Sequence, residues 1–361
     1  MKETRNSVSR AEDFAALLGI RLPVLLAPMA GASPTSLSAS VANAGGMGAC
    51  GALLMKPEEI ASWCDDFRAQ SQGEFQLNLW IPGPPPKRDA ELERRQREYL
   101  AKWGPEVPES AAEGVLPDFD SQCTAMLEAK PRAISSIMGL YAMPFVQEMK
   151  ARGILWFATA TTVSEARAAE AAGADAIIAQ GAEAGGHRGA FDASEAERRM
   201  VGLFALLPQV VDAVSLPVIA AGGIADARGV AAALVLGASA AMIGTAFLRC
   251  PEAKLNPAWS DAIGRTEADE TIITSAFTGR PGRGVANAYT VASASADAPP
   301  PAPYPLQRGL TRLMRETAAN ERKADRMQMW AGQAAKLARI APAREVATEL
   351  WEKALDILRS E

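Results

Sequence analysis

The sequence predicts an α/β fold: a (β/α)8 barrel with an arm inserted after its third strand and a C-terminal helical extension. Three observations lead there. Short apolar runs alternate with helix-periodic segments along residues 22–244, the signature of βα units that feed a parallel sheet. The runs number eight, as a closed barrel requires, in a span of suitable length. The composition allows one large core without staples, with 48% hydrophobic and 22% charged residues in a chain of 361. A doubly wound sheet is the runner-up.

In chain order, Leu22–Ala27 reads as the first strand and Pro34–Ala44 as a helix that stops at Gly45-Gly46. Met47–Leu53 is the second strand and Pro57–Gln70 its helix, opened by a proline whose missing N–H costs nothing at a helix start. Phe75–Ile81 is the third strand. The run Pro82-Gly83-Pro84-Pro85-Pro86 and the charged helix Asp89–Lys102 follow it, an insertion spanning about 82–120. Ala133–Met138, Ile154–Thr159 and Ala174–Gln180 are strands four to six, with helices Pro144–Arg152 and Val163–Ala172 between them. Pro217–Ala221 is the seventh strand, Asp226–Leu236 its helix and Ala240–Gly244 the eighth strand. The barrel domain is thus assigned to residues 1–250. Residues 251–361, with a Pro-rich linker at Ala298–Pro305 and helical patterns from Leu306 onward, form an extension expected to pack on it.

Several classes of function are disfavoured. With 37 basic and 42 acidic residues the net charge is −5, and no basic block is interleaved with aromatics, so a nucleic-acid partner is not expected. The uncharged stretch Gly229–Leu248 is long enough for a bilayer, but Gly237-Ala238-Ser239 divides it into a helical half and a β-like half, so no membrane span is expected. Met1–Ile20 lacks the apolar run of a secretory leader. Cys50, Cys64, Cys123 and Cys250 have no metal-ligand spacing, which argues for no metal and for a reducing, cytoplasmic location.

Gly46-x-Gly48-x-x-Gly51 matches a dinucleotide fingerprint by letter. It follows a helix and opens a strand, the reverse of the context a phosphate cradle needs, so it reads as a tight turn requiring positive φ. The turns Ala220-Ala221-Gly222-Gly223-Ile224 and Ile243-Gly244-Thr245 are stronger, because the corner after strands seven and eight of a barrel commonly binds phosphate through backbone N–H groups. The pattern does not distinguish a flavin phosphate from a sugar phosphate. After strand six, the glycine-rich loop Gln180–Gly189 carries His187, the only histidine in the chain, at the strand end where barrel chemistry sits.

The loop Gln180–Gly189, together with Leu25-Leu26-Ala27-Pro28-Met29, Asn43-Ala44-Gly45-Gly46, Leu77-Asn78-Leu79, Ala221-Gly222-Gly223 and Gly244-Thr245, resembles the nitronate monooxygenases. Ser275–Asn287 and Trp330–Ala335 look like segments of the bacterial class I members, so the resemblance covers nearly the whole chain. It implies a barrel that binds FMN noncovalently and uses dioxygen to oxidise alkyl nitronates, propionate 3-nitronate among them, to carbonyl compounds and nitrite. Ala27, Pro28 and Met29 would line the flavin ring, and Asn78 and Gln180 would hydrogen-bond it. Gly185, Gly222, Gly223, Gly244 and Thr245 would lie near the phosphate, with Met242 and Ile243 leading into that turn. His187 matches the family's active-site histidine, serving either as a neutral base toward nitroalkanes or as an imidazolium beside the nitro oxygens. Trp330–Gln333 is expected over the cavity, with Trp330 buried.

Two departures from the family pattern stand out. Leu26 and Ile137 occupy positions where many members carry glutamine and histidine, which predicts a more apolar pocket. Related flavin barrels include NAD(P)H-dependent quinone reductases and enoyl-acyl-carrier-protein reductases. A reductase of that type is therefore the alternative reading, and a flavin-free phosphate-binding barrel the third.

Overall fold

The computed structural model describes residues 6–114 and 116–360. The outer ends of the two predicted segments and position 115 of the arm lie outside the described residues.

In chain order the first elements are α1 (Ser7–Leu18), β1 (Val24–Leu26), α2 (Thr35–Asn43), β2 (Gly48–Gly51), α3 (Pro57–Gln70) and β3 (Phe75–Trp80). The arm carries α4 (Ala90–Leu100) and leads to α5 (Phe119–Ala129), which returns the chain to β4 (Ala133–Ile137). Then come α6 (Met143–Ala151), β5 (Leu155–Ala160), α7 (Val163–Ala171), β6 (Ala176–Gln180), the short β7 (Gly186–His187) and α8 (Leu203–Ala213). β8 (Val218–Ala221), α9 (Ala227–Val235) and β9 (Ala240–Ile243) complete the barrel. The remainder is α10 (Pro257–Arg265), β10 (Thr271–Thr274), β11 (Gly282–Val285), α11 (Ala288–Ser293), α12 (Leu306–Leu310), α13 (Arg312–Asn320) and α14 (Ala343–Arg359).

Eight strands pair in parallel in the order β1-β9-β8-β6-β5-β4-β3-β2. A parallel bridge between Leu25 and Met47 joins β1 to β2 and closes the ring, with Leu26 N–H donating to the Met47 carbonyl at 2.9 Å. All eight predicted barrel strands are present. Side chains alternate as the two-residue period of a strand demands. Leu25, Phe157, Ile178, Ile219 and Met242 fill the barrel interior, whereas Leu26, Leu77, Ile177, Ala220 and Ile243 pack outward against the helices.

Three helices of the barrel, α1, α5 and α8, escaped the sequence reading. In α1, apolar positions alternate with charges of both signs, yet Phe14 and Leu18 join the interior cluster and plug the barrel floor, Phe14 lying 6.3 Å from the Phe157 ring. The helix α8 contains Pro208, ordinarily a helix breaker, but its apolar face is buried through Leu203, Leu206, Leu207 and Val210. The uncharged stretch 229–248 splits into α9 and β9 as expected, and among the described residues no helix is long and apolar enough to cross a membrane.

The extension is less helical than its sequence pattern suggests. β10 and β11 form an antiparallel sheet with β7, a two-residue strand from the loop after β6. Residues 321–342 carry only a single 3-10 turn, Ala335–Leu337, and Trp330 bridges to Gly284. The arm packs on this extension, because Leu100 and Val107 share a cluster with Phe277, Tyr289, Leu306 and Leu310. Gln96 Nε2 donates to the Pro299 and Pro300 carbonyls at 2.9 and 2.7 Å.

Because Phe14 is 96% buried at the barrel floor, Phe14→Ala is expected to cost about 3–5 kcal/mol. A urea titration at neutral pH measures it. A loss below about 1 kcal/mol, the range of surface changes, would mean that α1 does not plug the barrel.

Candidate active site

A cavity of about 450 Å³ opens at the C-terminal end of the barrel, the size of a cofactor or substrate site. Its floor is the top layer of inward-facing strand residues: Asn78, Ile137, Thr159, Gln180, Ala221 and Met242. Ala27, Pro28 and Met29 form one wall as the chain leaves β1. Strand alternation corrects two expectations. Ile243, one residue past Met242, faces the helix layer and does not line the cavity. Leu26 likewise points outward, so of the two apolar replacements only Ile137 reaches the pocket.

The corner after β8 and β9 is a cradle of backbone. Gly222 and Gly223 adopt φ of +112° and +69°, a region that L side chains rarely enter. A Cβ on Gly222 would stand 3.0 Å from Ala184 N, and one on Gly185 2.5 Å from Gly332 N. Gly332 N–H donates to Thr245 Oγ1 at 3.0 Å, so a segment 87 residues further along the chain closes this corner. Gln333 N–H donates to the Glu183 carbonyl beside it, at 2.9 Å. Gly185, Gly222, Gly223, Gly244 and Thr245 all line the cavity.

The loop after β6 is fastened by its own ends. Gln180 Oε1 accepts from Gly189 N–H at 2.8 Å, and its Nε2 donates to the His187 carbonyl at 3.2 Å. Arg188, 1% exposed, donates to the Gly181 and Gln180 carbonyls. His187 thereby projects into the cavity, its ring edge-on to Trp80 at 4.6 Å and to Trp330 at 5.0 Å. Its Nε2 lies 2.9 Å from Thr278 Oγ1. Burial, and then the guanidiniums of Arg280 and Arg308, push its pKa down to about 3, so the imidazole is neutral at ordinary pH.

Asn78 Nδ2 is committed to Ser135, at 3.0 Å from its hydroxyl, which leaves the amide oxygen for an incoming donor. Trp330 lines the cavity as expected but is only half-buried, because one face forms the cavity wall. The predicted tight turn at Gly46 is also revised. Gly45 carries the positive φ of +97°, while Gly46 is required by close approach, a Cβ there lying 2.6 Å from the Val24 carbonyl. Gly51, at the end of the same motif, lines the cavity.

Sequence reasoning passed over Trp80, Thr278, Tyr304, Arg308 and Arg315, which also line the cavity. Trp80 was legible in principle, standing two positions beyond Asn78 on the same strand face. Arg308 and Arg315 are seven residues apart across α12 and α13, a spacing that returns to one helix face. Burial pushes the Tyr304 phenol up to about 12, so it stays protonated, and its hydroxyl is buried without a partner among the described residues. Arg315 is held by Thr311, Gln328 and the Arg308 carbonyl. The Arg308 side chain has no hydrogen bond or ion pair among the described residues. Among the described residues no Asp or Glu lines the cavity.

A closed parallel barrel with a mostly apolar, glycine-cradled pocket at its C-terminal mouth defines a (β/α)8-barrel enzyme of small-molecule chemistry. The nitronate monooxygenase family model matches residues 12–353. The chain is 39% identical over 341 residues to a nitronate monooxygenase of Paraburkholderia phytofirmans, with 92% of each chain covered. It is 38% identical over 346 residues to one of Pseudomonas aeruginosa, covering 94% of this chain and 98% of that one. Among solved structures, a nitroalkane oxidase from Streptomyces ansochromogenes superposes with a TM-score of 0.87 at 34% identity, covering 96% of this chain and 99% of that one. FabK from Thermotoga maritima gives 0.74 at 27% identity, with 97% of each chain covered. This chain belongs to the nitronate monooxygenase family and is an oxidoreductase.

The lowered pKa of His187 has a consequence for stability. The unfolded histidine titrates near 6.5 and the folded one near 3, so between these values the unfolded chain holds the extra proton and stability falls as pH drops. Replacing His187 with Gln removes this contribution. Urea midpoints at pH 7 and pH 4.5 should therefore fall further in the parent than in the variant; equal losses would show that the imidazole is not held neutral.

Proposed function

We propose that the cavity binds FMN and that the enzyme oxidises alkyl nitronates with dioxygen, releasing carbonyl compounds and nitrite. The carrying observation is the cradle closed over Thr245, where Gly222 and Gly223 hold positive φ and a Cβ on Gly185 or Gly332 would lie 2.5 or 2.7 Å from neighbouring backbone; such a backbone-only corner suits the close approach of a phosphate. Ala27, Pro28 and Met29 would hold the flavin ring, with Asn78 and Gln180 as polar contacts beside Met242. Bound FMN would supply the electron exchange with nitronate and dioxygen that no side chain can carry.

The chain's own residues would select and hold the substrate. A nitronate is an anion, and the cavity mouth offers Arg308 and Arg315 with no carboxylate among the lining residues. The neutral Tyr304 hydroxyl is a further donor. Trp80, Trp330 and Ile137 would enclose the alkyl part and keep water away. His187, neutral in this setting, suits acceptance of an α-proton from a neutral nitroalkane, a step that a preformed nitronate does not require. The four buried free thiols fit a reducing cytoplasm.

The purified protein should be yellow and should consume oxygen with propionate 3-nitronate and simple alkyl nitronates, forming nitrite. Rapid anaerobic bleaching by NADH or NADPH, with quinone reduction in place of nitronate turnover, would favour the reductase reading instead. Gly222→Val should lose FMN on dialysis while keeping the fold by circular dichroism. Stoichiometric flavin retained by that variant would remove the phosphate from this corner.

His187→Asn should slow neutral nitroalkanes by about 10²–10⁴-fold and nitronates much less. Steady-state kinetics on the two substrate forms measure the difference, and equal effects on both would exclude the proton-acceptor role.

A further inference from the structure

The extension does more than wall the cavity, because it supplies the group that touches the sole histidine. Thr278 sits in the turn between β10 and β11, 2% exposed, with its hydroxyl 2.9 Å from His187 Nε2. The same oxygen lies 3.2 Å from the Arg280 carbonyl and 3.4 Å from the Arg280 N–H. A threonine hydroxyl has one proton to give and two lone pairs to offer. A carbonyl can only accept and a backbone N–H can only donate. All three contacts are satisfied in one assignment: Thr278 donates to the Arg280 carbonyl and accepts from Arg280 N–H and from His187 Nε2–H. The reverse, with Thr278 donating to the imidazole, leaves the Arg280 carbonyl without that partner, at a cost comparable to a lost hydrogen bond.

We propose that Thr278 is a positioning residue that fixes His187 as its Nε2–H tautomer, so that Nδ1 is the acceptor nitrogen offered to the substrate. Nδ1 has no hydrogen-bond partner among the described residues, and His187 lines the cavity. The rest of the setting agrees. Trp80 and Trp330 both meet the ring edge-on and restrict its rotation. Arg280 and Arg308, the charged groups acting on the ring, disfavour a second proton. Arg280 is itself tied to the Ala190 carbonyl at 2.6 Å, so the turn that presents Thr278 is anchored to the far end of the histidine loop. Which nitrogen carries the proton is thus decided by a contact 91 residues away in sequence.

The inference deepens the role given to His187 under the proposed function, and its test is independent of turnover. Because His187 is the only histidine, holoenzyme labelled with ¹⁵N-histidine shows a single pair of ring nitrogens in a long-range ¹H–¹⁵N spectrum. Nε2 should appear as the protonated, pyrrole-type nitrogen and Nδ1 as the pyridine-type one, unchanged between pH 6 and 8. In Thr278→Val both signals should move toward tautomer averaging, and kcat for a neutral nitroalkane should fall with KM little changed. Thr278→Ser should keep the parent ring signature. A protonated Nδ1 in the parent, or a Val variant whose ring signals match the parent's, overturns the proposal. If the Val variant does not fold, the parent spectrum alone still decides the tautomer. An Nε2–H signature in an enzyme without nitroalkane turnover would instead count against the proposed function and leave the tautomer assignment standing.

Discussion

The structure turns on the amide of Gln180. It is the last residue of a barrel strand, and its side chain reaches across the loop that follows, accepting from Gly189 N–H and donating to the His187 carbonyl. The loop Gln180–Gly189 is thereby folded back on its own base, and the guanidinium of Arg188 satisfies the carbonyls at the bend. Everything built above the barrel depends on this. His187 faces the cavity because its carbonyl is held, and Gly186–His187 can act as a strand only because the loop is fixed in an extended shape. That strand accepts β11, and β11 brings β10 and the turn at Thr278. Buried polar groups paired in this way favour one arrangement of a core; both ends of the Gln180 amide are bonded, and Arg188 is bonded through both terminal nitrogens, its Nε alone having no partner among the described residues.

Arginines stitch the two halves together. Arg283 donates to the Ala182 carbonyl at 2.9 Å and Arg280 to that of Ala190, so each end of the histidine loop is gripped from the extension. Neither contact is an ion pair. Carboxylates lie near both, Asp192 and Glu165 by Arg280 and Glu183 by Arg283, but burial outweighs them: the same desolvation that pushes the Arg280 guanidinium down to about 10 holds the imidazole neutral. Structural fastening and the electrostatic character of the site are one set of side chains.

The barrel was legible because its signal is local: eight apolar runs, most followed by a helical period and bounded by glycine or proline, recur along the chain, and α3 appears at Pro57–Gln70 as read from the sequence. The glycine corner and His187 were legible because barrel topology fixes where strand ends point. What escaped was set by long-range pairing. β7 has two residues and no apolar pattern, so only its partner β11, roughly 95 positions later, makes it a strand. Thr278 lies in the turn between β10 and β11, and Tyr304 and Arg308 in Pro-rich and helical stretches, none of which signals by itself a cavity at the barrel mouth. Ile243 and Leu26 were misjudged for a different reason, since family motifs give positions without the alternation that decides which of two neighbours faces inward.

The closure of the phosphate corner by Gly332 also orders events at the ribosome. The eight barrel strands and the histidine loop are synthesised first, but the hydrogen bonds from Gly332 to Thr245 and from Gln333 to Glu183 must wait until residue 333 has been made. Until then the cradle lacks one wall and the tryptophan edge that borders His187. The nascent barrel therefore emerges with an open mouth, and a ligand that needs all the walls can be captured securely only after translation has passed the last of them. A chain stopped just before Trp330 would keep every strand of the barrel and still have an unfinished pocket.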